Sequence, residues 1–283
     1  MSNLNSFQPG YEKVIMEQRG SRLAGKVAIV TGAGTATDVD GTGQAMAILF
    51  ARHGAKVIVA DMSEENARKT LDTIEAEGGT ASLFTVDVTK NAECKAMVDA
   101  AVERYGGLDI LINNVGIGRV GTAVEVSEDE WDLVLNVNLK SMMLTSKHAI
   151  PAMIEGGGGA IINLSSVNGL RAGWLADVHY SAAKGGVVAM TKNMAVHHGR
   201  DNIRVNAIAP GHVYGSIVAA ISEERREMRR RAAPLGTEGT AWDVAWAALF
   251  LASDEARWIS GVVLPVDAGL IATTPLSMLP HLK

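Results

Sequence analysis

The run Tyr180-Ser181-Ala182-Ala183-Lys184 sets a phenol and an ammonium four residues apart. On a helix this spacing puts both side chains on one face. A cation beside a phenol favours the phenolate and pulls a tyrosine pKa down from about 10. A tyrosine tuned in this way can give or take a proton near neutral pH. The same spacing is common on ordinary helices, so the pair needs context. Ser165-Ser166 supplies some. It follows Ala160-Ile161-Ile162-Asn163-Leu164, an apolar run that reads as a strand, and α/β folds bind ligands at the carboxyl ends of parallel strands.

A second group of residues suits phosphates. Val27-Ala28-Ile29-Val30 leads into Thr31-Gly32-Ala33-Gly34, and Gly41-Thr42-Gly43 precedes a helix expected to start near Gln44. A glycine-rich turn between strand and helix lets backbone N–H groups approach a pyrophosphate at a helix N-terminus. Asp61 ends the second apolar run, 18 residues after Gly43. An acid there accepts hydrogen bonds from adenosine ribose hydroxyls and repels a 2′-phosphate. No Lys or Arg lies between Thr31 and Gly43, and Met62 follows Asp61. NAD is therefore favoured over NADP. The glycine spacing departs from G-x-G-x-x-G, which leaves an ordinary glycine-rich turn as the alternative. The interposed Thr35 to Asp40 carries Asp38 and Asp40. Carboxylates aimed at a pyrophosphate are unfavourable, so this stretch is expected to bulge outward.

These residues need a scaffold that gathers them. Val57-Ile58-Val59-Ala60, Ile110-Leu111-Ile112, Val205-Asn206-Ala207-Ile208 and Val262-Val263-Leu264 add strands to the two already named, and Ser82 to Val86 makes a seventh. Such runs suit strands buried on both faces. Helical patterns separate them. Ser63-Glu64-Glu65 opens one with an N-cap and first-turn acids, and Gly78-Gly79 closes it. Asn91 to Tyr105 forms another, closed by Gly106-Gly107. The rhythm predicts an α/β fold: a Rossmann-like, doubly wound parallel sheet of about seven strands in a single domain. Gly156 to Gly159 reads as a helix-to-strand loop.

Composition agrees. Of 283 residues 47% are hydrophobic and 20% charged, which excludes a disordered or collagen-like chain. A net charge of −5 argues against a general nucleic-acid binder. The single cysteine, Cys94, excludes an internal disulfide framework and a cysteine metal cluster, and fits a reducing compartment. The N-terminus has no secretory pattern. No uncharged apolar stretch is long enough to cross a bilayer, Trp246 to Ala252 included. The expectation is a cytoplasmic protein with no metal, no nucleic-acid partner and no membrane association. Residues 1–22 read as an N-terminal arm, 23–270 as the domain and 271–283 as a tail.

Taken in order, Thr31-Gly32 with the later glycines, Asp87-Val88, Asn113-Asn114-Val115-Gly116, Asn136-Val137-Asn138-Leu139, Ser166, Tyr180 with Lys184, and Pro210-Gly211 resemble the motifs of the short-chain dehydrogenase/reductase family. The resemblance spans Leu23 to Leu270. It implies hydride transfer between a nicotinamide and a small-molecule alcohol or ketone. It makes Tyr180 the proton donor or acceptor, with Lys184 lowering its pKa and bonding the nicotinamide ribose. Ser166 holds the substrate oxygen, and Asn138 positions a water in a proton relay. The cofactor would meet Gly32, Gly34, Gly41, Gly43, Asp61 and Met62, then Asp87 and Val88 beside adenine. Asn114 and Gly116 line the adenosine side, and Pro210, Gly211 and Val213 approach the nicotinamide. A homotetramer is implied too, through helices corresponding to Trp131–Ile154 and Val178–Gly199.

This chain departs from the family pattern in three places. The glycine turn is five residues longer, Asn-Ala-Gly reads Asn114-Val115-Gly116, and Gly215-Ser216 replaces a threonine that often bonds the carboxamide. Other features carry weaker readings. His179 and His212 face substrate or form a polar rim. Trp174 and Tyr214 wall a pocket for a cyclic or aromatic substrate, or pack in the core or at an interface. The run Glu223 to Arg231 reads as a solvated face with Glu227 and Arg231 as partners, or as a lid meeting an acidic substrate. Two alternatives to the NAD-dependent alcohol dehydrogenase stay open: a non-catalytic NAD-binding regulator and a carrier-linked 3-oxoacyl reductase.

Overall fold

The structure of the protein, a computed structural model, describes residues 19–278. Residues 1–18 of the expected arm and 279–283 of the expected tail lie outside the described residues. The last arm residues lie against the domain: the Gly20 N–H donates to the Arg52 carbonyl at 3.2 Å, and Arg22 pairs with Glu255 at 2.9 Å.

Seven strands form one parallel sheet: β1 (Val27–Thr31), β2 (Lys56–Asp61), β3 (Thr80–Thr85), β4 (Ile110–Asn113), β5 (Gly159–Leu164), β6 (Ile203–Pro210) and, last in the chain, β9 (Val263–Val266). Their order across the sheet is β3-β2-β1-β4-β5-β6-β9. The order reverses between β1 and β4, and this switch point is where such sheets open a ligand crevice. Two short strands, β7 (Val213–Tyr214) and β8 (Gly239–Thr240), pair separately. The apolar runs predicted all seven sheet strands, with ends shifted by one or two residues.

Alternation along each strand builds two cores. In β1, Ala28 and Val30 face helices α1 (Thr42–Arg52) and α8 (Ala241–Ala252), whereas Val27 and Ile29 face the opposite layer. That opposite layer contains α3 (Asn91–Tyr105) and α5 (Ser141–Glu155), which contribute Met97 and Met153. All five residues of β1 are buried, as a strand covered on both faces requires. Helix α2 (Glu64–Ala76) begins at Ser63, whose hydroxyl accepts the Asn66 N–H at 3.3 Å. Helix α3 ends at Gly106, in the left-handed region at φ 89°.

Two features were not legible in the periodicity. Helix α1 starts at Thr42, two residues before the expected position, capped by Gly41 and Gln44: the Gly41 N–H donates to Gln44 Oε1 at 3.3 Å. The helix expected over Trp131–Ile154 is broken into two. Helix α4 (Glu128–Leu135) passes through a π turn, Asn136–Lys140, into α5. Helix α6 (Val178–His198) carries Tyr180 and Lys184, and α7 (Glu223–Ala232) carries the arginine run. No helix among the described residues is long and apolar enough to cross a membrane.

Candidate active site

The glycine turn leaves β1 at the switch point. Gly32 has φ 63°, a left-handed conformation that a side chain disfavours. A Cβ on Gly43 would lie 2.0 Å from the Gly32 carbonyl oxygen, so this pair brings α1 against the strand end. Asn114 stitches the turn in place. Its Nδ2 donates to the Thr31 and Gly32 carbonyls, both at 3.1 Å, and its Oδ1 accepts the Thr42 hydroxyl at 2.7 Å. Gly34 lies against Asp61: its N–H donates to Asp61 Oδ2 at 2.9 Å, while Oδ1 accepts the Ser63 N–H at 2.9 Å. Gly32, Gly34, Gly41, Gly43, Asp61 and Asn114 thus form one contiguous crevice rim.

Asp38 is exposed, and Asp40 turns to the Trp242 indole, which donates to its Oδ2 at 2.8 Å. Met62 is 73% exposed. Asp87 and Val88 follow β3. The Thr89 hydroxyl donates to Asp87 Oδ1 at 2.6 Å and holds that carboxyl below its usual range, and Val88 is buried. Pro210 ends β6, the Gly211 N–H donates to the Val266 carbonyl at 2.9 Å, and Val213 pairs with Gly239.

At the carboxyl end of β5, Ser166, Tyr180 and Lys184 converge. The Lys184 ammonium lies 5.7 Å from the centroid of the Tyr180 ring and donates to the Leu164 carbonyl at 2.7 Å. Ser166 Oγ accepts the Asn168 N–H at 3.1 Å, and its side chain is hydrogen-bonded to the Tyr180 phenol. Asn138, fully buried in the π turn, donates to the Val134 and Ile117 carbonyls at 3.0 and 3.1 Å, and its Oδ1 accepts the Ile117 N–H at 3.1 Å. Gly116 closes the group. A Cβ there would come within 2.7 Å of Asn138 Oδ1 and 3.4 Å of Lys184 Nζ.

Electrostatics correct one expectation. A cation four residues on was expected to pull the Tyr180 pKa down. Burial instead pushes the phenol above its ordinary 10; the Ser166 hydrogen bond works against the rise, and the Asp177 carboxylate adds to it. The same burial pulls Lys184 down to about 7, because its ammonium has left water for a single carbonyl.

Further expectations are resolved. His179 is fully buried and neither ring nitrogen has a hydrogen-bond partner, so it is not a polar rim. His212 Nδ1 lies 3.2 Å from the Arg229 carbonyl oxygen. The arginine run is not simply a solvated face. Arg226 stacks on Tyr214 at 3.8 Å and pairs with Glu238 at 2.8 Å, Arg229 donates to the Val213 carbonyl at 2.8 Å, and Arg230 pairs with Glu227 at 2.8 Å. Arg225 stands 5.8 Å over the Trp174 ring.

Sequence reasoning missed a buried polar network that braces the site from behind. Asn113 Nδ2 donates to Asn163 Oδ1 at 2.9 Å, Asn163 Nδ2 to the Thr191 hydroxyl at 3.0 Å, and the Thr145 hydroxyl to Asn113 Oδ1 at 2.5 Å. The signal was two asparagines, Asn113 and Asn163, each in an otherwise apolar strand.

The profile of the family described as "Enoyl-(Acyl carrier protein) reductase" matches residues 34–271. A 3-oxoacyl-[acyl-carrier-protein] reductase of Thermotoga maritima is 39% identical over 250 residues, covering 88% of this chain and 99% of that protein. A 2,5-dichloro-2,5-cyclohexadiene-1,4-diol dehydrogenase of Sphingobium indicum is 40% identical over 251 residues, 88% of this chain and 97% of its own. Among solved structures, one described as a short-chain dehydrogenase/reductase from Burkholderia xenovorans superposes with a TM-score of 0.87 at 40% identity, covering 90% of this chain and 100% of that one. With the parallel sheet, the crevice at its switch point and the tyrosine–lysine pair, these likenesses make the chain a member of the short-chain dehydrogenase/reductase family.

Proposed function

We propose that the protein is an NAD-dependent oxidoreductase that interconverts a secondary alcohol and a ketone. The observation that carries this reading is the convergence of Ser166, Tyr180 and Lys184 at the carboxyl end of β5, with Asn138 packed against Gly116 beside Lys184. The crevice suits a dinucleotide. Gly41 has no side chain to cover the first N–H groups of α1, and the first turn of that helix holds no acid. Gly32, Gly34, Gly41 and Gly43 would take the pyrophosphate, Asp61 and Met62 the adenosine ribose side, and Asp87, Val88, Asn114 and Gly116 the adenine and adenosine side. Pro210, Gly211 and Val213 would line the nicotinamide. Bound there, the nicotinamide supplies or accepts the hydride at the substrate carbon.

The chain's own residues handle the proton. Ser166 holds the substrate oxygen and keeps the Tyr180 hydroxyl directed at it. Tyr180 gives its proton to that oxygen during reduction and removes it during oxidation. A phenol whose pKa is raised by burial stays protonated, ready to donate. Lys184, when protonated, stabilises the phenolate left behind and meets the nicotinamide ribose. Asn138 fixes the Gly116–Ile117 segment and orders the water through which Lys184 is reprotonated. Asp61 selects NAD, since its carboxylate repels a 2′-phosphate and no Lys or Arg in the glycine turn offsets it.

Reduction of a carrier-linked 3-oxoacyl group is the second reading, favoured by the likeness to the Thermotoga maritima reductase. The arginines that suggested it are engaged within the chain, at Glu238, Tyr214, Glu227 and Trp174. Turnover assays with cyclic alcohols and with 3-oxoacyl thioesters separate the two, and an absence of turnover on every alcohol and ketone leaves the regulator. Cys94 is buried, with its thiol pushed up to about 11, and suits a reducing, cytoplasmic setting.

Tyr180→Phe should lower kcat by about 10²- to 10⁴-fold while the Kd for NADH, read by fluorescence, stays within about twofold. Near-full turnover in this variant removes Tyr180 from its role. In steady-state kinetics kcat/KM for NADH should exceed that for NADPH, and the opposite order overturns the assignment of Asp61. Lys184 adds a pH signature. The unfolded chain keeps this proton up to its ordinary 10.5, whereas the folded chain releases it near 7. The cost of burying the charge is therefore fully present below 7, and stability gains with pH between these values. Lys184→Met should flatten that gain in urea denaturation run below pH 7 and near pH 10. The protein should assemble as a homotetramer through α4–α5 and α6, where a groove of about 940 Å³ runs between Leu133, Leu139, Met143, Gly186 and Met190. Light scattering that finds only a 29.8 kDa species refutes this.

A further inference from the structure

The lengthened glycine turn brings a carboxylate to an unfavourable place. Asp40 immediately precedes Gly41, the N-cap of α1, where the backbone N–H groups attract anions. A free aspartate next to that terminus would compete with a pyrophosphate for the same donors, or repel it. The first turn of α1 carries no acid, and its cap is the neutral Gln44 amide. The carboxylate that immediately precedes this terminus is held elsewhere. Trp242, 202 residues further along the chain and 6% exposed, donates its indole N–H to Asp40 Oδ2 at 2.8 Å. The Arg52 guanidinium, 5.0 Å over the indole ring, adds a positive charge on that side. The rest of the insertion folds on itself, with the Thr35 hydroxyl donating to the Thr37 carbonyl at 3.0 Å. The insertion also abuts the segment after β7. A Cβ on Gly215 would lie 3.3 Å from the Asp40 carbonyl oxygen, and one on Gly41 would lie 3.1 Å from Ser216 Oγ. Asp40 is thus confined between the glycine turn and α8.

We propose that Trp242 is a positioning residue for the cofactor: its indole N–H latches the Asp40 carboxylate away from the N-terminus of α1 and so keeps the pyrophosphate site free of a competing anion. The inference rests on the dinucleotide reading of the crevice. It assigns a purpose to a carboxylate that the glycine motif itself does not need. It also makes a charge on one side of the crevice depend on α8, the helix that packs against α1 in the core.

The test measures binding rather than turnover. NADH and ADP-ribose, which carry the pyrophosphate, and adenosine, which does not, are titrated calorimetrically against four proteins: wild type, Trp242→Phe, Asp40→Asn and the double variant. Trp242→Phe should weaken NADH and ADP-ribose about tenfold, the scale of one like-charge contact near a protein surface, and leave adenosine unchanged. Asp40→Asn keeps an acceptor for the indole and should bind as wild type does. The double variant should regain wild-type affinity, because the liberated group no longer carries charge. Raising ionic strength should close the gap between Trp242→Phe and wild type. A loss that Asp40→Asn fails to rescue, or one shared by adenosine, means that Trp242 only packs, and the proposal falls. Equal affinity of Trp242→Phe and wild type also overturns it. Failure of wild type to bind either NADH or ADP-ribose would instead overturn the dinucleotide reading. If Trp242→Phe fails to fold, Asp40→Glu decides. It keeps the charge but displaces it from the indole by one methylene, so it should weaken NADH in a salt-sensitive way, and unchanged affinity counts against the latch.

Discussion

Where β1 and β4 part, the backbone loses its ladder partners, and the side chains of Thr31 and Asn114 supply replacements. The Thr31 hydroxyl donates to the Ile112 carbonyl at 3.0 Å and accepts the Asn114 N–H at 3.0 Å. Asn114 then takes the Thr31 and Gly32 carbonyls with its amide. A buried carbonyl without a donor costs about 1–3 kcal/mol, so this stitching is a requirement of opening the sheet rather than an ornament. The crevice exists because the strand order reverses there, and it keeps one shape because two side chains replace the missing ladder. The glycine turn, the start of α1 and the end of β2 all hang from that junction.

The second constraint is the burial of Lys184. An ammonium 3% exposed and hydrogen-bonded to the Leu164 carbonyl is held in the fold at a cost. Its neighbours fit around it closely. A Cβ on Gly169 would lie 2.6 Å from the Lys184 carbonyl oxygen, Ser165 Oγ donates to that same oxygen at 2.9 Å, and Gly116 leaves room for the amine. Opposed directions for the pair follow directly: the phenol goes up and the amine goes down because both have lost water, and only an added charge or dipole in the crevice can reverse either.

Legibility in the sequence followed the range of each interaction. The strands were readable because a run buried on both faces needs apolar residues at every position, and Ser63, Gly106 and Gly32 were readable because caps and left-handed turns are local demands. Tyr180 with Lys184 was readable as a face of a helix, and Asp61 as the end of a strand. The direction of the Tyr180 shift was not, since it depends on how much water the assembled fold removes. The π turn at Asn136–Lys140 was hidden because helical periodicity tolerates one extra residue in a turn, and Asn138 makes its three hydrogen bonds only because that turn rotates it inward. Asp40 and Trp242 are separated by most of the chain, so no spacing rule connects them.

The arginine run shows why charge pattern alone misleads. Five arginines in nine residues suggest a surface for water or an acidic partner. A short, highly charged helix has another need, however: it has little apolar area with which to hold itself down. Helix α7 exposes Met228 and buries only Arg229. Its attachment is therefore electrostatic and aromatic. Arg226 lies flat on Tyr214, Arg229 reaches the Val213 carbonyl, and Glu238, 6% exposed at its side chain, draws Arg226, Arg229 and Arg230 together from the far side. Removing Glu238 from such a cluster would leave three guanidinium groups crowded without their shared counter-charge, whereas removing one arginine would leave the carboxylate still paired. The anchor of this segment is thus the acid they share, Glu238, not the conspicuous run of bases.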